Sequence, residues 1–104
     1  MQQQPTLPIA VPEAALAAFC RRHRIRRLSL FGSVLRQDFR PESDVDVLVE
    51  FEPAVRLSLF GLARVENELT DLLGRTADVH EARSLHQAIR DRVIRAARDL
   101  YVAA

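Results

Sequence analysis

Residues 28–51 read LSLFGSVLRQDFRPESDVDVLVEF, and two apolar runs, one near each end of this stretch, decide the fold. The first run, residues 27–31, alternates in part and stops at Gly32, which predicts a strand. In the second run, residues 45–49, valines occupy every other position, and this is the clearest strand pattern in the chain. The polar segment 37–43 contains a proline and predicts a loop between the two strands.

Helical spacing of apolar residues flanks these strands. The spacing predicts a helix over 12–24, a helix over 59–73 capped by Gly74, a short strand over 76–80, and a last helix with an apolar stripe from Leu85 to Leu100. Ser84 and Gln87 have the spacing of a capping box at the start of the last helix. The order helix, strand, strand, helix, strand, helix predicts a small mixed β-sheet flanked by helices, of the α/β or α+β class.

The composition indicates one small globular domain. The chain has 104 residues, of which 48% are hydrophobic, and this is enough for a single modest core. Residues 1–8 carry two prolines without apolar periodicity, so we expect a mobile tail there and the domain over 9–104. No apolar run approaches the ~18 residues of a membrane helix, and no signal-peptide pattern opens the chain, so no membrane contact and a cytoplasmic location are expected. The net charge of +1 argues against strong direct nucleic-acid binding.

A carboxylate pair opens the second predicted strand. Asp44 and Asp46 are two positions apart, so on an extended chain they share one face while Val45 and Val47 point into the core. Neighbouring carboxylates repel each other, and a hard divalent cation with oxygen ligands, such as Mg²⁺, is the natural compensation. For this spacing in isolation, a strand start that merely faces water is the more common explanation.

Gly32-Ser33 follows the first strand and opens a predicted helical turn. Glycine lets a ligand approach the backbone closely, and the exposed amides of such a turn attract anions. If the anion is a triphosphate, Ser33 can donate its hydroxyl to a phosphate oxygen, and Arg36, one turn later, can reach the same triphosphate. Arg36 can equally pair with Asp38 or Glu42 on the surface, and the sequence leaves both alternatives open.

Together these elements give a strand, Gly32-Ser33, ten residues, and Asp44-x-Asp46 on a second strand. This motif resembles the G-S-x10-D-x-D signature of the nucleotidyltransferases of the DNA polymerase β superfamily, and the stretch is especially similar to their minimal (MNT) type. The similarity covers most of residues 15–101. It implies a polymerase β-like fold, binding of Mg²⁺ by Asp44 and Asp46, and binding of the nucleotide phosphates by Gly32 and Ser33.

The resemblance also implies a third carboxylate. Asp78 stands where such proteins read G-R-x-V-D-L-V, which implies a role as general base or third metal ligand. Ala77, in place of a larger apolar residue, and His80 depart from that pattern, but neither removes the carboxylate.

A protein partner is a further implication of the resemblance. The MNT type is often the antitoxin of a HEPN-domain toxin, so we expect transfer of AMP from ATP to a hydroxyl, such as that of a tyrosine, on that toxin. All the predicted helices and strands belong to the catalytic fold, and none is left to form an acceptor-binding domain. The acceptor is therefore expected from another molecule. The alternatives are a non-catalytic module that neutralises its partner by contact, and transfer to a small molecule, which needs an additional substrate-binding region.

The remaining candidate residues favour structural interpretations. The three histidines, His23, His80 and His86, lack metal-ligand spacing, which argues against zinc. For His80, a solvated strand end is favoured over a place at the site. Cys20 is expected to be buried and inert. Tyr101 is expected to pack the end of the last helix, whose arginines predict a solvated face.

Overall fold

A computed structural model describes residues 7–104. The described residues form nine elements in this order: α1 (Glu13–Arg22), β1 (Ile25–Phe31), a 3₁₀ turn (Gly32–Leu35), β2 (Val45–Phe51), α2 (Leu59–Leu73), β3 (Ala77–Glu81), a second 3₁₀ turn (Ala82–Ser84), α3 (Gln87–Ala96) and β4 (Arg98–Val102). The predictions of α1, β1, β2, α2 and β3 are confirmed to within two residues at each end.

The strands form one mixed sheet in the order β3-β2-β1-β4. β1 pairs antiparallel with both β2 and β4, whereas β2 and β3 are parallel. Parallel neighbours cannot be joined by a tight hairpin, and α2 supplies the crossover between them. The structure therefore confirms the predicted fold class, a small mixed sheet flanked by helices.

One face of the sheet packs against α1 and α2. The alternating valines of β2 are completely buried on this face, together with Leu16 and Phe19 of α1 and Leu69 of α2. Burying each such large side chain contributes about 1.5–3 kcal/mol, so this layer holds the fold together. The residues between the valines, including Asp46 and Glu50, therefore point to the opposite face of the sheet.

Cys20 lies in the same core and has no exposed surface, which confirms its predicted burial. Burial raises the pKa of its thiol to about 12. Because the thiolate is the reactive species, we expect Ellman's reagent to leave the native protein unlabelled at mildly alkaline pH. The single cysteine should react fully once guanidinium unfolds the chain. Rapid labelling of the folded protein would contradict this prediction.

The predicted last helix from Leu85 to Leu100 is wrong in its second half. α3 ends at Ala96, and β4 follows and pairs with β1. Without β4, the outer edge of β1 would present unpaired backbone groups, and satisfying them outweighs the helical spacing of Leu100. The segment Leu-Tyr-Val also has high strand propensity. Tyr101 accordingly packs against the core from β4 and not from a helix end.

The start of α3 also differs from the prediction. Ser84 ends the second 3₁₀ turn, and Leu85 continues in extended conformation, so the helix begins too late for the predicted capping box. The N-cap is His86, whose Nδ1 accepts a hydrogen bond from the Ala88 N–H at 3.4 Å. α3 buries none of its residues, and Ile89 is 55% exposed, so the predicted apolar stripe does not enter the core.

Of the predicted tail 1–8, residues 1–6 lie outside the described part of the chain, while Leu7 packs against the core. Within residues 7–104, no helix combines the length and the hydropathy needed to cross a membrane.

Candidate active site

The candidate site lies at one end of the sheet, on the face opposite to α1 and α2. Phe31 of β1 pairs with Asp46 of β2, and Asp46 pairs with Asp78 of β3. Residues paired in this way point to the same face, so the register brings the two carboxylates together. Gly32 follows Phe31 directly, and the turn after β1 therefore lies beside them.

His80, two residues along β3, completes a cluster with the two aspartates. Its Nε2 lies 3.2 Å from Asp78 Oδ2 and 3.8 Å from Asp46 Oδ1. One potential ligand atom from each side chain lies within 4.8 Å of the other two. Among residues 7–104 this is the only group of three such side chains close enough together to hold a metal ion.

The electrostatics of the cluster favour a bound positive charge. Burial raises the pKa of Asp46, and the negative charges of Asp78 and Asp44 raise it further, while His80 acts in the opposite direction. The Asp46 side chain is 29% exposed, so water screens this repulsion only in part. A proton or a cation beside Asp46 would therefore stabilise the site.

Gly32 is required by two separate features of its environment. Its φ is +75°, in the left-handed region that L side chains rarely adopt. A Cβ at this position would also overlap Oδ2 of Asp46 and lie 3.2 Å from its Cγ. The absence of a side chain thus lets the turn lie directly against the carboxylate.

The other residues predicted for the site lie around this turn. Ser33 is in the 3₁₀ turn and is partly exposed. Arg36 follows it, and its Nε donates to Asp38 at 3.1 Å, so the surface pairing is present. Burial raises the pKa of Asp46, and the positive charge of Arg36 opposes that rise slightly, so Arg36 acts on the site as well. Asp44 is exposed just before β2, outside the three-residue cluster, and lines a neighbouring cavity of about 530 Å³.

Two side chains of α2 fix the backbone on either side of Asp78. Thr70 Oγ1 accepts a hydrogen bond from the Ala77 N–H at 2.9 Å, and Glu66 Oε2 accepts one from the Val79 N–H at 2.8 Å. β3 is an edge strand, whose outer N–H groups need partners from outside the sheet. α2 therefore both covers the core and holds Asp78 in register with Asp46.

Replacing Glu66 with alanine tests this positioning. We expect Glu66→Ala to lower the free energy of unfolding by about 1.5–3 kcal/mol, because a charged acceptor of a part-buried N–H is lost. Chemical denaturation measures this loss. Asn67→Ala, at the exposed next position of the helix, is the matched control and should change the stability by less than ~0.5 kcal/mol. Equal losses in the two variants would show that the hydrogen bond to Val79 contributes nothing.

His80 lies beside the two aspartates, although the sequence favoured a solvated strand end for it. It lies in the cluster, with its ring packed edge-on against Phe31 at 5.3 Å between centroids. The period-two alternation of β3 places positions 78 and 80 on one face, and this signal could have revealed it. Glu66 offered no comparable signal, because its helical position alone does not show which strand it meets.

The mixed sheet, its helical crossover and the glycine turn against Asp46 agree with the nucleotidyltransferase class that the sequence motif resembles. The family model described as the nucleotidyltransferase domain matches residues 13–100, and the chain belongs to this family.

Individual relatives carry a more specific name. A candidate protein adenylyltransferase of Methanocaldococcus jannaschii is 38% identical over 79 residues, which cover 76% of this chain and 83% of the relative. The protein adenylyltransferase MntA of Thermococcus cleftensis is 36% identical over 74 residues, covering 71% of this chain and 73% of that protein.

The fold is also found in a solved toxin–antitoxin complex. One chain of a structure of tri-AMPylated Shewanella oneidensis HEPN toxin with MNT antitoxin has a TM-score of 0.64 to this protein. The match covers 88% of this chain and 70% of that chain at 20% identity. At this identity the likeness concerns the fold alone.

Proposed function

We propose that this nucleotidyltransferase transfers AMP from ATP to a hydroxyl of a partner protein, and that it does so as the antitoxin of a HEPN toxin. The observation that carries the proposal is the Gly32 turn held against the carboxylate of Asp46, with Asp78 paired to Asp46 on the neighbouring strand. The names of the relatives, protein adenylyltransferases, support a protein as acceptor. The AMPylated HEPN toxin in the complex of similar fold supports the kind of partner. A cytoplasmic location is part of the same proposal.

The residues of the site fit a divalent cation. Asp46 and Asp78 bring two carboxylates together; burial raises the pKa of Asp46, and the charge of Asp78 raises it further. Asp44, whose charge acts on Asp46 in the same direction, would supply a further oxygen if its side chain turned toward the cluster. When bound, Mg²⁺ would neutralise charge that develops on the transferred phosphate and on the leaving pyrophosphate.

The chain itself would bind and orient the two substrates. The backbone of Gly32 and the hydroxyl of Ser33 would hold the phosphates of ATP beside the carboxylates. Arg36 would exchange its exposed contact with Asp38 for a phosphate oxygen, which costs little because exposed ion pairs are weak. The carboxylate of Asp78, with its backbone fixed by α2, would orient the acceptor hydroxyl and take its proton. The acceptor oxygen would then form a bond to the α-phosphorus while the bond from that phosphorus to the bridging oxygen breaks, and pyrophosphate would leave.

A transfer assay with a catalytically disabled variant tests the proposal. The protein is incubated with ATP labelled at the α-phosphate, Mg²⁺ and the product of the neighbouring gene. Label should appear on that partner, and Asp44→Ala combined with Asp46→Ala should abolish it. Asp91→Ala, which removes an exposed aspartate of α3, is the control and should transfer normally.

The same variants separate the alternatives in a growth assay with the toxin. Full neutralisation by the double variant, without label transfer, would contradict the enzymatic proposal and favour neutralisation by contact. Label on an added small molecule and none on the partner would contradict the protein acceptor.

A further inference from the structure

We propose that His80 is a metal ligand, and that the cluster of Asp46, Asp78 and His80 takes a divalent first-row transition cation such as Mn²⁺ in preference to Mg²⁺. The inference rests on the proposed function, since it adds a nitrogen ligand to the cation site of the nucleotidyltransferase. It concerns a residue at which this chain departs from the G-R-x-V-D-L-V pattern.

The geometry of the cluster suits one shared ion. Two ligand atoms that each lie ~2.1 Å from one ion are about 3.0–3.4 Å apart in tetrahedral or octahedral arrangements. His80 Nε2 is 3.2 Å from Asp78 Oδ2 and 3.8 Å from Asp46 Oδ1. All three ligand atoms lie within 4.8 Å of one another, so an approach of Asp46 toward the other two would bring them around a common centre.

The histidine ring is held in this orientation. Phe31 packs against it at an interplanar angle of 68°, and strand β3 fixes its backbone through the pairing of His80 with Leu48. The His80 side chain is 34% exposed, so an ion can reach the cluster from solvent. An imidazole positioned in advance loses little side-chain entropy when it binds a metal.

The chemistry of the ligands selects the class of cation. Two carboxylates and a neutral imidazole carry a charge of −2, which a divalent cation balances. Mg²⁺ prefers oxygen ligands in a near-ideal octahedron and retains its waters, whereas imidazole nitrogen suits first-row transition cations. A mixed site of two oxygens and one nitrogen therefore discriminates against Mg²⁺.

Electron paramagnetic resonance with Mn²⁺ alone, without nucleotide, tests the proposal on the full chain. Electron spin-echo modulation should show a directly bound ¹⁴N in the wild-type protein and none in His80→Gln. The Kd for Mn²⁺, measured from the signal of the free ion, should rise at least about tenfold in His80→Gln. His86→Asn is the matched control, because His86 is an exposed helix cap away from the cluster and asparagine is also a good N-cap.

A second variant, His80→Asp, distinguishes the loss of a nitrogen ligand from a loss of folding. His80→Asp should bind Mn²⁺ without ¹⁴N modulation and should lose the preference for Mn²⁺ over Mg²⁺ in competition. Absence of ¹⁴N coupling in the wild type, or its persistence in His80→Gln, would overturn the proposal and leave His80 as an ion-pair partner of Asp78. Failure of AMP transfer with every metal would overturn the proposed function instead, and it would leave the spectroscopic result standing.

Discussion

Asp46→Asn is expected to lower the rate of AMP transfer by roughly a thousandfold, because a bound cation contributes several kcal/mol to the stabilisation of transition-state charge. Asp46 is the central residue of the site, since it touches the Gly32 turn, pairs with Asp78 and faces His80. Asparagine keeps the size of the side chain but removes the negative charge that would hold the cation. The measurement is the initial rate of label transfer from ATP to the partner.

The same variant should be more stable than the wild type at neutral pH in the presence of a chelator. Burial and the charge of Asp78 raise the pKa of Asp46 in the folded protein above the unfolded value of about 4. The folded state therefore binds this proton more tightly, and the stability from this group is complete below pH ~4 and is lost as pH rises through the folded pKa. Asp46→Asn removes this charge and should therefore have a higher free energy of unfolding than the wild type at neutral pH. The difference between the two proteins should shrink as pH falls.

Glu50→Gln is the matched control for Asp46→Asn. Glu50 lies on the same strand and the same face, and it lies 3.7 Å from Arg27 in an exposed ion pair outside the cluster. Its replacement should leave both the transfer rate and the pH dependence of stability nearly unchanged. An Asp46→Asn protein that transfers AMP at the wild-type rate would remove Asp46 from the proposed mechanism.

The parts of the fold that the sequence predicts correctly are those with a strong local pattern. The valine alternation of β2 and the leucine spacing of α2, with Gly74 as its cap, are each consistent over their whole length. In these elements the apolar period, the caps and the buried face agree with one another. Local patterns of this kind are retained in the folded protein because tertiary packing reinforces them.

β4 and the role of His80 could not be read in the same way. The segment 98–102 has an apolar spacing that suits a helix, and only the free edge of β1 makes a strand more favourable there. His80 enters the cluster because β2 and β3 pair in parallel with Asp46 opposite Asp78. That register depends on the crossover through α2, and the register between two strands cannot be derived from a single sequence. The compound motif located the glycine turn and the carboxylates, but not their contacts.

Gly32→Ala is expected to reduce AMP transfer by about a hundredfold or more, with only a moderate loss of stability. The added Cβ would overlap Asp46 Oδ2, so the carboxylate or the turn must move. A displacement of ~1 Å in a catalytic group can cost about a hundredfold in rate. The left-handed φ of +75° adds a strain of roughly 1–2 kcal/mol for a residue with a side chain.

Gly74→Ala separates backbone strain from the clash at the site. Gly74 caps α2 at a φ of +70°, almost the same backbone conformation as Gly32, but no atom lies within 4 Å of the position that a Cβ would take there. Both variants should therefore lose a similar ~1–2 kcal/mol in chemical denaturation from the strain alone. Only Gly32→Ala should lose transfer and show weaker binding of a fluorescent ATP analogue. Equal transfer rates in the two variants would mean that the contact between the turn and Asp46 has no part in catalysis, and that any loss follows from general destabilisation.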